Sequence, residues 1–108
     1  MNAVKRLVLG FFVVCAVAGV GPTIAAGGDA TAGEGKAGLC GGCHGFDGNS
    51  EDAAYPKLAG QYEDYIVKQV RDFQKGHRAN NDTMSGMAAM VGSDPGARDI
   101  GAFYAPQK

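Results

Sequence analysis

An all-α domain of about four short helices is the fold class this sequence predicts, and three observations predict it. Residues 62–75 place Tyr62, Ile66, Val70 and Phe73 at helical spacing, with Val67 broadening the apolar stripe. Helix-starting residues, Asp29 or Thr31 and later Ser93, precede two further segments. No run alternates as a strand does, so no sheet is expected.

The elements follow in chain order. Lys5 and Arg6 precede an apolar run from Leu7 to about Val20, then Pro22 and the small residues Thr23, Ala25 and Ala26. This is the charge, apolar core and cleavage-site pattern of a secretory signal, over residues 1–25, with cleavage expected after Ala25 or Ala26. The run is short for a bilayer span, which needs about 20 residues, so no membrane span is expected once the signal is removed. Residues 26–108 then form a single domain. Its first helix runs from Asp29 or Thr31 toward Cys40 and is weak by propensity, since Gly33, Gly35 and Gly38 interrupt it. A glycine-rich turn segment from Cys40 to Ser50 and an irregular stretch with Pro56 and Gly60 come next. The helix at 62–75 has Glu63 and Asp64 in its first turn, Lys75 in its last and Gly76 to end it. Residues 77–83 read as a polar loop, and Met84 to Val91 as a short apolar patch. A last helix begins at Ser93, with Asp94 and Pro95 in its first turn, and carries Ile100, Phe103 and Tyr104.

Composition narrows the function. The part after the signal has eight basic and eleven acidic residues and no basic patch, which removes support for a nucleic-acid role. A core this small rarely stabilises a fold unaided, and most of the glycines fall in it. Cys40 and Cys43 could close only a tiny disulfide loop, which gains little chain entropy. A bound cofactor is the better source of stability.

Cys40-Gly41-Gly42-Cys43-His44 supplies one. C-x-x-C-H is the haem c attachment pattern. Residues three and four apart share one helix face. One turn thus presents two thiols to the haem vinyl groups and aims the His44 imidazole at the iron. Gly41 and Gly42 are expected to leave room for the porphyrin beside the backbone, and Gly45 to let the chain turn away. Three other readings compete: a thioredoxin-like dithiol, which wants a βαβ scaffold; a zinc site, which wants four ligands; and a plain disulfide with a histidine beside it. Electron carriers usually close the far side of the iron with Met or His. Met84, Met87, Met90 and His77 are the candidates, with solvent exposure favoured for His77.

With these residues in view, the chain resembles the class I c-type cytochromes, especially the small soluble bacterial periplasmic monohaem type. The resemblance runs from Gly28 to Ala105, through Cys-Gly-Gly-Cys-His-Gly, Tyr55-Pro56-Lys57-Leu58-Ala59-Gly60-Gln61, Thr83-Met84-Ser85-Gly86-Met87 and Phe103-Tyr104-Ala105. It implies helices wrapped around one haem c, covalent through Cys40 and Cys43, with His44 and Met84 as the iron ligands. It implies that the Pro56 carbonyl accepts a hydrogen bond from His44 and that Leu58 packs on the haem. Phe103 and Tyr104 are expected to pack a crossing of the first and last helices. The implied function is electron transfer without substrate chemistry, in the periplasm, by a monomer meeting donor and acceptor proteins transiently. A haem subunit of a larger oxidoreductase would use the same site, and an open-iron peroxidase or gas sensor would lack the Met ligand. Arg78, Asn80 and Asn81 stand where they reach either a haem propionate or solvent.

Overall fold

The computed structural model describes residues 27–108, so the expected signal and its cleavage position fall outside the described residues. Four helices follow in order: α1 (Ala30–His44), α2 (Glu63–Gln74), α3 (Asp82–Val91) and α4 (Asp94–Tyr104). No strand occurs among the described residues.

Asp29 starts α1, its carboxylate accepting from the backbone N–H of Thr31 at 2.9 Å and of Ala32 at 3.2 Å. Despite its glycines, α1 runs fifteen residues and carries the cysteine motif to its end. Packing overrides propensity here. At Gly33 the backbone of α1 lies directly on α4, and a Cβ would stand 1.8 Å from the Asp99 carbonyl oxygen. Only glycine permits that approach. Gly35 and Gly38 face open space.

In α2, Ile66, Val67 and Phe73 are buried as the spacing predicts, but Tyr62 is 81% exposed. Tyr62 is the residue before the helix, and its extended ψ of 135° turns its side chain out of the Ile66 column. Gly76 ends the segment with φ +73°, a left-handed conformation that glycine adopts without strain. The polar loop is shorter than expected. Asn81 caps α3, its side-chain oxygen accepting from the Met84 N–H at 2.9 Å, which places Asp82 and Thr83 inside the helix. At the other end of α3 the Gln74 amide donates to the carbonyls of Ala88 and Gly92, both at 2.8 Å. Ser93 precedes α4 as expected, though its side chain makes no capping bond.

Helices α2 and α4 run antiparallel. Arg98 reaches Glu63 at 3.3 Å and Asp64 at 2.7 Å, and Arg71 pairs with Asp94 near the opposite ends. The seam between α1 and α4 is closed by the Lys36–Asp99 pair and by Asp99 accepting from the Asp29 N–H at 2.9 Å. Between the helices sits a core of Ala37, Ile66, Ile100 and Tyr104, rimmed by half-buried Cys40, Leu58, Val70, Val91 and Phe103. Tyr104 is fully buried and meets the Phe103 ring edge-on, with centroids 5.1 Å apart. The two aromatics therefore pack the α1–α4 contact, as the resemblance implies.

Candidate functional site

The last turn of α1 carries the chemistry. Cys40, Cys43 and His44 share one side of it by spacing, and both thiols are free. Cys40 is half-buried against the core on which Leu58 and Val70 also pack, whereas Cys43 is exposed. Burial pushes the Cys40 thiol above its ordinary range. Dithiol oxidoreductases need the opposite, a thiol whose pKa is lowered, and with no strand among the described residues that reading loses its basis.

His44 is 7% exposed, and its Nδ1 lies 2.7 Å from the Pro56 carbonyl oxygen. A carbonyl can only accept, so Nδ1 holds the proton and donates. In the neutral imidazole this leaves the lone pair on Nε2, the nitrogen a metal would take. The Tyr55 ring stands edge-on, its centroid 6.2 Å from that of His44. The loop that brings Pro56 to His44 is built locally. Gly45 turns the chain at φ +87°, where a Cβ would meet the Asn49 backbone at 2.9 Å. Ser50 Oγ donates to the Cys43 carbonyl at 3.0 Å, satisfying a group that the helix end leaves open. The Gly48 carbonyl accepts from Leu58 and Ala59, at 2.9 and 3.1 Å, which folds the loop back on the core.

A Cβ on Gly41 would come 2.6 Å from the Phe46 ring, and a Cβ on Gly42 would meet nothing. Within the protein, glycine at 41 makes room for the exposed Phe46 ring, and position 42 faces no protein atom.

Cys40, Cys43, His44 and the Pro56 carbonyl are thus gathered at one end of α1, and Leu58 packs on the same core as Cys40. Met84 lies on a different element, α3, which packs chiefly on α2 and only lightly on α1. Met84 and Met87 are half-buried, while Met90 is 68% exposed. His77 is exposed, with Nδ1 3.9 Å from an Asp72 oxygen. Arg78 is occupied within the protein: its guanidinium stacks 4.6 Å from the centre of the Phe73 ring and donates to Gln69 at 2.8 Å. Asn81 is a helix cap, a role that its place three residues ahead of an apolar run signals. No sequence signal marks Gln74, whose partners are backbone carbonyls brought near only by folding.

These residues fit haem. The motif offers two thiols on one turn, an imidazole with Nε2 free and an apolar rim of Leu58, Val70 and Val91 that the protein covers only in part. Zinc fits poorly, because no three His, Cys, Asp or Glu side chains gather among the described residues.

Comparison with known proteins bears on the same turn. No protein-family model matches the chain. Cytochrome c4 of Pseudomonas aeruginosa is 48% identical over 83 residues, which are 77% of this chain and 40% of that protein. The chain thus spans about two-fifths of the length of this relative. Cytochrome c-554(548) of Halomonas halodenitrificans is 40% identical over 83 residues, covering 75% of this chain and 99% of that one. The crystal structure of reduced cytochrome c4 from Pseudomonas stutzeri superimposes with a TM-score of 0.66 at 43% identity, over 75% of this chain and 46% of that chain. Near-complete coverage of a c-554 relative, a matching solved fold and a C-x-x-C-H turn with its histidine already oriented lead to one conclusion: the chain belongs to the class I c-type cytochromes, whose cofactor is haem c.

Proposed function

We propose that this chain is a single-electron carrier of the periplasm, working as a monomer through one haem c bonded to Cys40 and Cys43 and ligated by His44 and Met84. The observation that carries the proposal is the 2.7 Å bond from His44 Nδ1 to the Pro56 carbonyl. It fixes the tautomer and the ring plane, so that Nε2 is presented before any ligand arrives, and it makes that nitrogen a stronger donor. The haem, when bound, supplies the ferric–ferrous couple. Every other contribution comes from the chain. Leu58 and Val70 add apolar surface to the core against which Cys40 packs. Met84 contributes a soft, neutral thioether that favours ferrous iron and excludes small ligands. Two ligands retained in both oxidation states keep the reorganisation on electron transfer small. Donor and acceptor proteins are met in small, weak encounters that permit turnover.

Residues 1–25 act in this reading as the export signal, and residues 26–108 as the working domain. The test is the mass and visible spectrum of the exported protein. A mass equal to the chain from Ala26 or Gly27 plus one haem, with a sharp reduced α band, is expected. In ferric protein, Met84→Ala is expected to abolish the far-red sulfur-to-iron absorption while leaving the haem attached. A colourless, well-folded product would overturn the proposal.

A further inference from the structure

Met84 is the third residue of α3 and lies in its first turn. This is the least secure part of a helix, because its first four N–H groups have no partner within the helix. In this chain the Met84 N–H itself is one of those groups, and the Asn81 side-chain oxygen accepts from it at 2.9 Å. The Asn81 backbone carbonyl accepts from the Ser85 N–H at 3.1 Å, so one residue holds both neighbouring donors. The opposite end of α3 is held from outside. Gln74 on α2 donates through one amide nitrogen to the carbonyls of Ala88 and Gly92, both at 2.8 Å. Ala88 is the buried residue of α3, so this amide pins the helix where it meets the core.

We infer that Asn81 and Gln74 are positioning residues for the axial bond: two side-chain amides, neither a ligand, hold α3 at its two ends so that the Met84 sulfur stays on the iron. The inference rests on the proposal that Met84 is the ligand. A thioether bond to iron is weak and competes with any small ligand that enters. The competition depends on how often the first turn opens. Loss of a good cap raises the open fraction about five-fold. The Gln74 amide acts on the same opening from the C-terminal end, since releasing it lets the whole short helix move off α2.

The test uses the ferric holoprotein with its haem covalently attached, titrated with imidazole, with the far-red sulfur-to-iron absorption recorded alongside. Asn81→Ala and Gln74→Ala are each expected to bind imidazole about five-fold more tightly than the parent and to show a weakened far-red absorption. Asn81→Ser, which keeps a capping oxygen, is expected to restore both to parental values, a rescue that a general loss of packing would not give. Met84→Ala sets the limit of an open sixth position. If Met84→Ala tightens imidazole binding while Asn81→Ala and Gln74→Ala match the parent, the positioning role is overturned and the ligand assignment stands. If Asn81→Ser behaves as Asn81→Ala does, capping is not the cause and the inference fails. If Met84→Ala itself changes neither readout, the ligand assignment falls and the inference with it.

Discussion

Gly33, Gly35 and Gly38 are chemically identical residues within two turns of α1, and the structure separates them. A methyl group at 33 would run into the Asp99 backbone at 1.8 and 2.5 Å and force α1 away from α4. A methyl group at 35 or 38 would meet nothing. Gly33→Ala is therefore expected to cost about 1–3 kcal/mol, as over-packing of a tight contact does. Gly35→Ala should stabilise by about 0.5–1 kcal/mol, the difference in helix propensity. Denaturant unfolding of the holoprotein variants checks both signs; a destabilised Gly35→Ala together with a neutral Gly33→Ala would show that the α1–α4 approach is not as described. The haem motif makes the same point. Its spacing is legible in the sequence, but the Phe46 ring beside Gly41 is not: it lies five residues away and meets the helix only after the chain has turned at Gly45.

Among the helices, the α1–α4 seam is held by one carboxylate. Asp99 pairs with Lys36 and accepts from the Asp29 N–H, and these two contacts, the Lys36 bond first, hold its carboxyl below the usual aspartate range. Lys68 does the same for Asp72 and Arg71 for Asp94. A carboxyl lowered on folding contributes stability that is complete above its unfolded value, near pH ~4, and is lost as pH falls through the lowered folded value. Unfolding curves measured from neutral pH downward should thus show stability falling below about pH 4. Asp99→Asn should flatten part of that fall: less stable than the parent at neutral pH, and converging with it in acid. Parallel curves for the two proteins would remove Asp99 from the account. Each pair is partly exposed, so salt should weaken the effect.

At the scale of the whole domain, residues 27–108 bury little apolar volume of their own. Among the described residues, Ala37, Ala59, Ala88 and Ala97 make up much of the buried apolar set, and only Ile66, Val67, Phe73, Ile100 and Tyr104 add bulk. The half-buried rim of Cys40, Leu58, Val70, Val91 and Phe103 completes a core only when another apolar body covers it. A chain carrying Cys40→Ser and Cys43→Ser, which cannot attach haem, is accordingly expected to lose most of its helix signal in far-UV circular dichroism and its cooperative thermal transition. A cooperative, fully helical haem-free variant would show that the protein core suffices.

Local rules by themselves indicated the helix that forms over 63–74, its stop at Gly76, a start for α1 at Asp29 or Thr31 and for α4 after Ser93, and the C-x-x-C-H spacing, because each depends on residues within a few positions of one another. Tertiary structure alone decided that Gly33 is obligatory where Gly35 and Gly38 are not, and that Gln74 braces the C-terminal end of α3; the Pro56 carbonyl, which only the family resemblance had placed beside His44, reaches it across a folded loop. Those outcomes depend on backbone from distant parts of the chain arriving at hydrogen-bond or van der Waals distance, and neither propensity nor spacing encodes such distances.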